Sequence, residues 1–144
     1  MRKIFLDTNV WLRFLVGDQK EQYEACKKLI ALNEEGKLKI YTSTIVLLEI
    51  IYTLSSFYRV RKKAVISDVK AILSARNLTL IERTNFKKAL SFYQRYNIKL
   101  ADCLIASQLP KDVALCTYDQ DFRKIKDITT VTPDEIVKSW TVKP

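Results

Sequence analysis

Short apolar runs, separated by longer stretches with helical periodicity, dominate the pattern of this chain. The run Lys3–Asp7 predicts a buried strand ending in an acid. Thr8 or Asn9 opens a helix that continues to Val16, where Gly17 stops it. A second helix is expected from Lys20 to Glu35, with Tyr23, Cys26, Leu29, Ile30 and Leu32 on its apolar positions and Gly36 behind it. Leu38–Thr42 predicts a strand, Thr44–Tyr58 a very apolar helix, Arg61–Ala75 another helix, and Leu78–Ile81 a strand. Helices over Thr84–Tyr96 and Ala101–Leu109 follow, then a strand over Val113–Cys116, a turn over Thr117–Asp121 and a last strand over Thr129–Val131. The final helix opens at Thr132-Pro133-Asp134-Glu135, which has the Thr-x-x-Glu pattern of a capping box with Pro at the first helical position.

Strands that alternate with helices predict an α/β fold, a central mostly parallel β-sheet flanked by helices on both faces. Neither a Pro/Ser-rich linker nor a repeat interrupts the pattern, so residues 1–144 are expected to form a single domain. The apolar stretch before Asp7 is too short for a signal peptide, and no apolar run approaches the roughly 20 residues of a membrane helix. A cytoplasmic location is the resulting expectation.

Composition changes the picture mainly through what is missing. The chain has no histidine, which excludes Ser-His-Asp and Cys-His catalysis, histidine zinc sites and histidine-based ribonuclease chemistry. Gly17 and Gly36 are the only glycines, so neither a P-loop nor a dinucleotide fingerprint can be built. Cys26, Cys103 and Cys116 form no C-x-x-C pair and read as buried free thiols. The net charge of +9 is concentrated: Arg59–Lys99 contains eleven basic residues against two acids, while the remainder is balanced at fourteen against fourteen. Such a segment suits a polyanion partner through counterion release, and equally suits a set of solvated helix faces.

Four acids stand out against this background. Asp7 closes the first strand and Asp119 follows the run Val113–Cys116, at strand ends where α/β sheets bind ligands. Asp is also common there as a turn former or helix cap. Glu49 sits in Ile45-Val46-Leu47-Leu48-Glu49-Ile50-Ile51-Tyr52 without a basic residue at helical spacing. It reads either as a carboxylate neutralised by a cation or as part of an exposed stripe with Thr42, Thr53 and Ser56. Asp102 lies in the first turn of an apolar helix, where the macrodipole alone would favour it. One task would use all four: oxygen ligands for a hard divalent cation, which makes a water nucleophilic and offsets charge on a leaving phosphate oxygen.

The motifs Ile4-Phe5-Leu6-Asp7-Thr8-Asn9-Val10, Glu49 in its apolar helix, Leu100-Ala101-Asp102 with Leu104-Ile105-Ala106, and Thr117-Tyr118-Asp119-Gln120-Asp121-Phe122 occur in this order. Together they resemble the PIN-domain family across essentially the whole chain, and the size is similar to that of VapC-type toxins. The resemblance implies a Mg²⁺- or Mn²⁺-dependent endoribonuclease, the toxin of a toxin–antitoxin module, with an RNA substrate, a homodimeric state and a small antitoxin partner. It implies that Asp7, Glu49, Asp102 and Asp119 are catalytic and hold the metal. Asp121 would be a supporting acid on the metal, and Thr8, Asn9 and Thr117 polar supports. Arg59, Arg61, Lys62 and Lys63, between two predicted helices, are the candidate RNA-binding residues. The helix Thr44–Tyr58 has more apolar residues than one core-facing stripe uses, which suggests a homodimer surface near Tyr58 and Val65. A catalytically idle PIN module that binds RNA or protein as a scaffold is the alternative. A DNA-directed nuclease also stays open, whereas a phosphotransferase or receiver-like pocket lacks its second acid.

Overall fold

The computed structural model describes residues 2–141; of the expected domain 1–144, Met1 and positions 142–144 lie outside it. In chain order the strands are β1 (Arg2–Leu6), β2 (Leu38–Ser43), β3 (Leu78–Ile81), β4 (Ala114–Cys116) and β5 (Thr130–Val131). They form one sheet in the order β3-β2-β1-β4-β5, with every neighbouring pair parallel. The helices among the described residues are α1 (Thr8–Val16), α2 (Lys20–Glu34), α3 (Thr44–Ser56), α4 (Lys62–Leu73), α5 (Phe86–Arg95), α6 (Leu100–Ser107) and α7 (Pro133–Thr141).

The strand order reverses direction at β1. Right-handed crossovers therefore put α1–α4 on one face and α5–α6 on the other. The packing agrees: α2 meets both α1 and α7, α3 meets α1 and α4, and α5 lies against α6. Ile4, Phe5 and Leu6 of β1 have no exposure at all, because both faces of the central strand are covered. All three cysteines are buried free thiols.

Most element boundaries fall within two residues of the sequence expectation, and the departures have local causes. Asp7 lies beyond β1 as the N-cap of α1. Helix α3 ends at Ser56 rather than Tyr58: Arg59 turns into the left-handed region (φ 55°), and the Val60 N–H reaches back to Leu54 O at 2.8 Å. Helix α5 starts at Phe86 because Asn85, not Thr84, caps it, accepting from Lys88 N at 3.1 Å. Helix α6 stops at Ser107, short of Leu109, whose successor Pro110 disfavours helical geometry before it. The expected turn Thr117–Asp121 runs into a short 3-10 helix, Gln120–Lys124.

Candidate active site at the carboxyl edge of the sheet

The chain leaves β1 towards β2 on one side and returns to β4 on the other, which opens a crevice at the carboxyl ends of β1 and β4. Asp7 and Thr117 are the first residues past those two ends. Asp7 N–H bonds to Cys116 O at 3.0 Å and Thr117 N–H to Val131 O at 2.9 Å, so the sheet ladder itself sets both positions.

Side chains extend this into a web. Thr117 Oγ1 donates to Asp7 Oδ2 at 2.7 Å, and Thr8 N–H donates to Asp7 Oδ1 at 2.7 Å. Asn9 Nδ2 reaches Asp7 Oδ2 at 3.4 Å and Thr117 Oγ1 at 3.3 Å, while Asn9 Oδ1 accepts from Tyr118 N at 3.2 Å. Asp119 N–H donates to Thr117 Oγ1 at 2.9 Å, and Asp119 Oδ1 accepts from Asp121 N at 2.9 Å, capping the 3-10 helix. From the other side, Thr8 Oγ1 donates to Glu49 Oε1 at 2.7 Å and ties α1 to α3. Glu49 is half-buried and turned towards this edge; of its proposed stripe partners, Thr42 is fully buried in β2 and does not share its surface.

The electrostatics connect the acids further. Burial of Asp7 (4% exposed) pushes its carboxyl up from 3.8 to about 7; the Thr117 and Thr8 hydrogen bonds oppose this, and the charges of Asp102 and Glu49 add to it. Asp102 is pushed to about 6 by partial burial first, and then by Asp119 and Glu49, with Lys99 pulling the other way and Asp121 adding a smaller push. Neither Asp7, Glu49, Asp102 nor Asp119 forms an ion pair among the described residues. Asp121 is exposed and lies 3.4 Å from Lys124. The structure thus brings Asp7, Glu49, Asp102, Asp119 and Asp121 to one edge from separate segments of the chain, together with Thr8, Asn9 and Thr117.

Arg59, Arg61, Lys62 and Lys63 do not join them. They are exposed beyond the far end of α3, on the order of 10 Å along the helix axis from Glu49. Lys99 and Lys124 stand closer to the acids. Neither stands out in the sequence as a site residue, although Lys99 lies one helical turn before Asp102, a spacing visible there.

The donor set is all oxygen, which suits a hard divalent cation. Among the described residues no three acids converge into a ready cage. Mg²⁺ takes only one or two carboxylates and keeps several waters, so a spread cluster fits it. Asp7 and Asp102 have raised carboxyls, first through burial and then through the neighbouring acids, so a cation placed among them would favour their ionised forms.

Known proteins share this fold. The model of the PIN domain family matches residues 4–128. The chain is similar in structure to VapBC2 from Rickettsia felis, solved bound to a DNA fragment from its promoter. That match has a TM-score of 0.65 at 22% identity and covers 90% of this chain and 97% of the other. It is similar too to Mycobacterium tuberculosis VapC20, described as a sarcin-ricin loop cleaving toxin, with a TM-score of 0.69 at 21% identity, covering 90% and 98%. No curated protein matches the sequence.

Proposed function

The chain belongs to the PIN domain family, and on that premise we propose that it is a Mg²⁺- or Mn²⁺-dependent endoribonuclease, the toxin of a toxin–antitoxin module. The observation that supports this best is the meeting of Asp7, Glu49, Asp102 and Asp119 without an ion pair, two of them with raised carboxyls. In this reading these four acids hold the metal, with Asp121 in support. Held by these residues, a divalent cation would supply Lewis acidity and lower the pKa of a bound water.

The chain's own residues prepare that arrangement. Thr117, Asn9 and the Thr8 amide orient both oxygens of Asp7, and the Thr8 hydroxyl orients Glu49. Lys99, beside Asp102, offers the incoming phosphate a cation at the edge of the cluster. Arg59, Arg61, Lys62 and Lys63 would contact RNA farther from the acids. Residues 1–144 act as one cytoplasmic domain in this proposal. The exposed Leu48, Ile51, Tyr52 and Phe57 at α3 form a homodimer face, and a small antitoxin is the regulatory partner.

The test is cleavage of structured and unstructured RNA with Mg²⁺ or Mn²⁺, repeated in EDTA and with Asp7→Asn and Asp102→Asn. Metal-dependent cleavage lost in both variants is the expected result. Binding without cleavage by the wild type would establish the idle scaffold instead.

A further inference from the structure

Two exposed apolar faces lie outside the acid cluster, and they differ in charge. On α3, Leu48, Ile51 and Tyr52 are exposed on a helix whose single charged residue is Glu49. On α5, Phe86, Leu90 and Tyr93 are 50%, 47% and 53% exposed and recur at i, i+4 and i+7, which makes one stripe. From Arg83 to Lys99 there are five basic residues and no acid, and all five are exposed. The core takes only Ala89 and Phe92 from α5, so packing makes little use of the outer rings.

The cations near the stripe already rest on other rings. Lys88 Nζ lies 5.8 Å from the Phe92 centroid, and the Arg95 guanidinium lies 5.4 Å from Phe92 and 5.2 Å from Tyr96. Phe86 and Tyr93 have neither a ring nor a cation partner among the described residues. They are seven residues apart, about 10 Å along the helix. The end of α5 also abuts the acid turn: Lys124 lies 3.4 Å from Asp121 and donates to Asn97 O at 3.3 Å. The stripe thus leads from Phe86 past Tyr93 to the segment that contains Lys99 and Asp102.

We infer that the outer face of α5 is a docking track for single-stranded RNA, with bases stacked on Phe86 and Tyr93 and phosphates drawn by the cations around them. The inference takes its ligand from the ribonuclease reading and adds a surface that the acids do not supply. A polyanion with π-faces uses both the rings and the charge. A protein partner has a better match in the nearly uncharged face of α3. Arg95 is paired with Asp127 at 3.5 Å and Lys99 faces Asp102, but Arg83, Lys87 and Lys88 form no ion pair among the described residues, and their charge disfavours an apolar interface.

The test compares Phe86→Leu/Tyr93→Leu, which keeps apolar area but cannot stack, with Phe86→Trp/Tyr93→Trp, which can. The probe is an unstructured, fluorescently labelled RNA in EDTA, where metal-dependent cleavage is silent. The Leu pair should bind about tenfold more weakly or worse, with an unchanged salt slope, and the Trp pair at least as tightly as wild type. Circular dichroism checks folding of each. Equal affinity for the Leu pair, weaker binding by the Trp pair, or a lower mass of the Leu pair in light scattering would overturn the track, the last by making the face a protein interface. If wild type binds this RNA with stack-dependent affinity but never cleaves with metal, the ribonuclease reading fails and the track stands. If wild type cleaves with metal and the Leu pair binds as tightly, the reverse holds.

Discussion

The Thr117 hydroxyl donates to Asp7 Oδ2 at 2.7 Å, joining the first residues past β4 and β1, 110 positions apart in sequence. The hydroxyl oxygen itself accepts from Asn9 Nδ2 and from the Asp119 N–H. One buried hydroxyl therefore holds an acid from each side of the crevice.

Thr117→Val keeps shape but removes that oxygen, leaving two donors unsatisfied and Asp7 without its shortest side-chain partner. Stability should fall by about 1–3 kcal/mol, and Thr117→Ser should recover most of it. Loss of the donor should push the Asp7 carboxyl higher still, so Mn²⁺ affinity at pH 7 should drop too. Wild-type melting and wild-type Mn²⁺ titration in the Val variant would show that the bond contributes nothing.

Metal affinity should depend on pH in a defined window. A cation binds the ionised carboxylates, and Asp102 and Asp7 are raised to about 6 and about 7. Calorimetric Mn²⁺ affinity should climb roughly tenfold or more from pH 5.5 to 7.5 and then level off. A flat profile would mean that neither acid takes part.

At the other end of the chain, Thr132 and Glu135 close a reciprocal cap: Glu135 N donates to Thr132 Oγ1 at 3.1 Å, and Thr132 N and Oγ1 donate to Glu135 Oε1 at 3.3 and 3.0 Å. Thr132→Ala should cost about 0.5–2 kcal/mol in thermal or denaturant unfolding and leave RNA cleavage unchanged at temperatures where the protein is folded. No change in melting would show that the cap is idle.

That cap was legible from four residues, because a capping box is local chemistry. So were the five strands and the stop at Gly17, which takes φ 70°. Asn33 was not legible. Only 1% exposed at the end of α2, it accepts from Ile40 N at 3.1 Å, in the next strand, and donates to Arg76 O at 2.8 Å, 43 positions away. Strand order was equally out of reach, since an apolar run says that a strand is buried and not which strands flank it. At the site, the acids could be picked out singly; their meeting depends on the reversal at β1. Lys99 was harder to single out: its spacing to Asp102 is visible, but it is one of eleven basic residues in Arg59–Lys99.

The basic turn after α3 gives a separate test. Replacing Arg61, Lys62 and Lys63 with Ala removes three exposed charges from the start of α4, where the helix dipole disfavours cations, so folding should not suffer. If RNA reaches this far from the acids, affinity should weaken for all sequences, and the log–log salt slope should flatten by about 0.7 for each single-strand phosphate that is no longer neutralised. An unchanged slope would assign the turn to solubility or to a protein partner.

Stability without metal should reveal the cost of burying these acids and of setting them side by side. For Asp7, both folded and unfolded chains are protonated well below 3.8. Between 3.8 and about 7 the unfolded chain ionises while the folded one keeps its proton, so stability is lost as pH rises through that window and the loss is complete above about 7. Asp102 behaves alike up to about 6. In EDTA the wild type should therefore melt lower at pH 8 than at pH 5, apart from any other group that titrates between them. Asp102→Asn removes one repelling charge from the cluster and should melt above wild type at pH 8, less whatever Asp102 contributes to the first turn of α6. Asp7→Asn relieves the buried charge and still caps α1 through its carbonyl oxygen, but its amide nitrogen cannot accept from Thr117 and Asn9 as Oδ2 does, so its gain should be the smaller of the two. Excess Mn²⁺ binds the folded wild type preferentially and should shrink or invert both gains. If both variants melt no higher than wild type in EDTA, and Mn²⁺ leaves the wild-type melt unmoved, the acids of this edge do not act as one site.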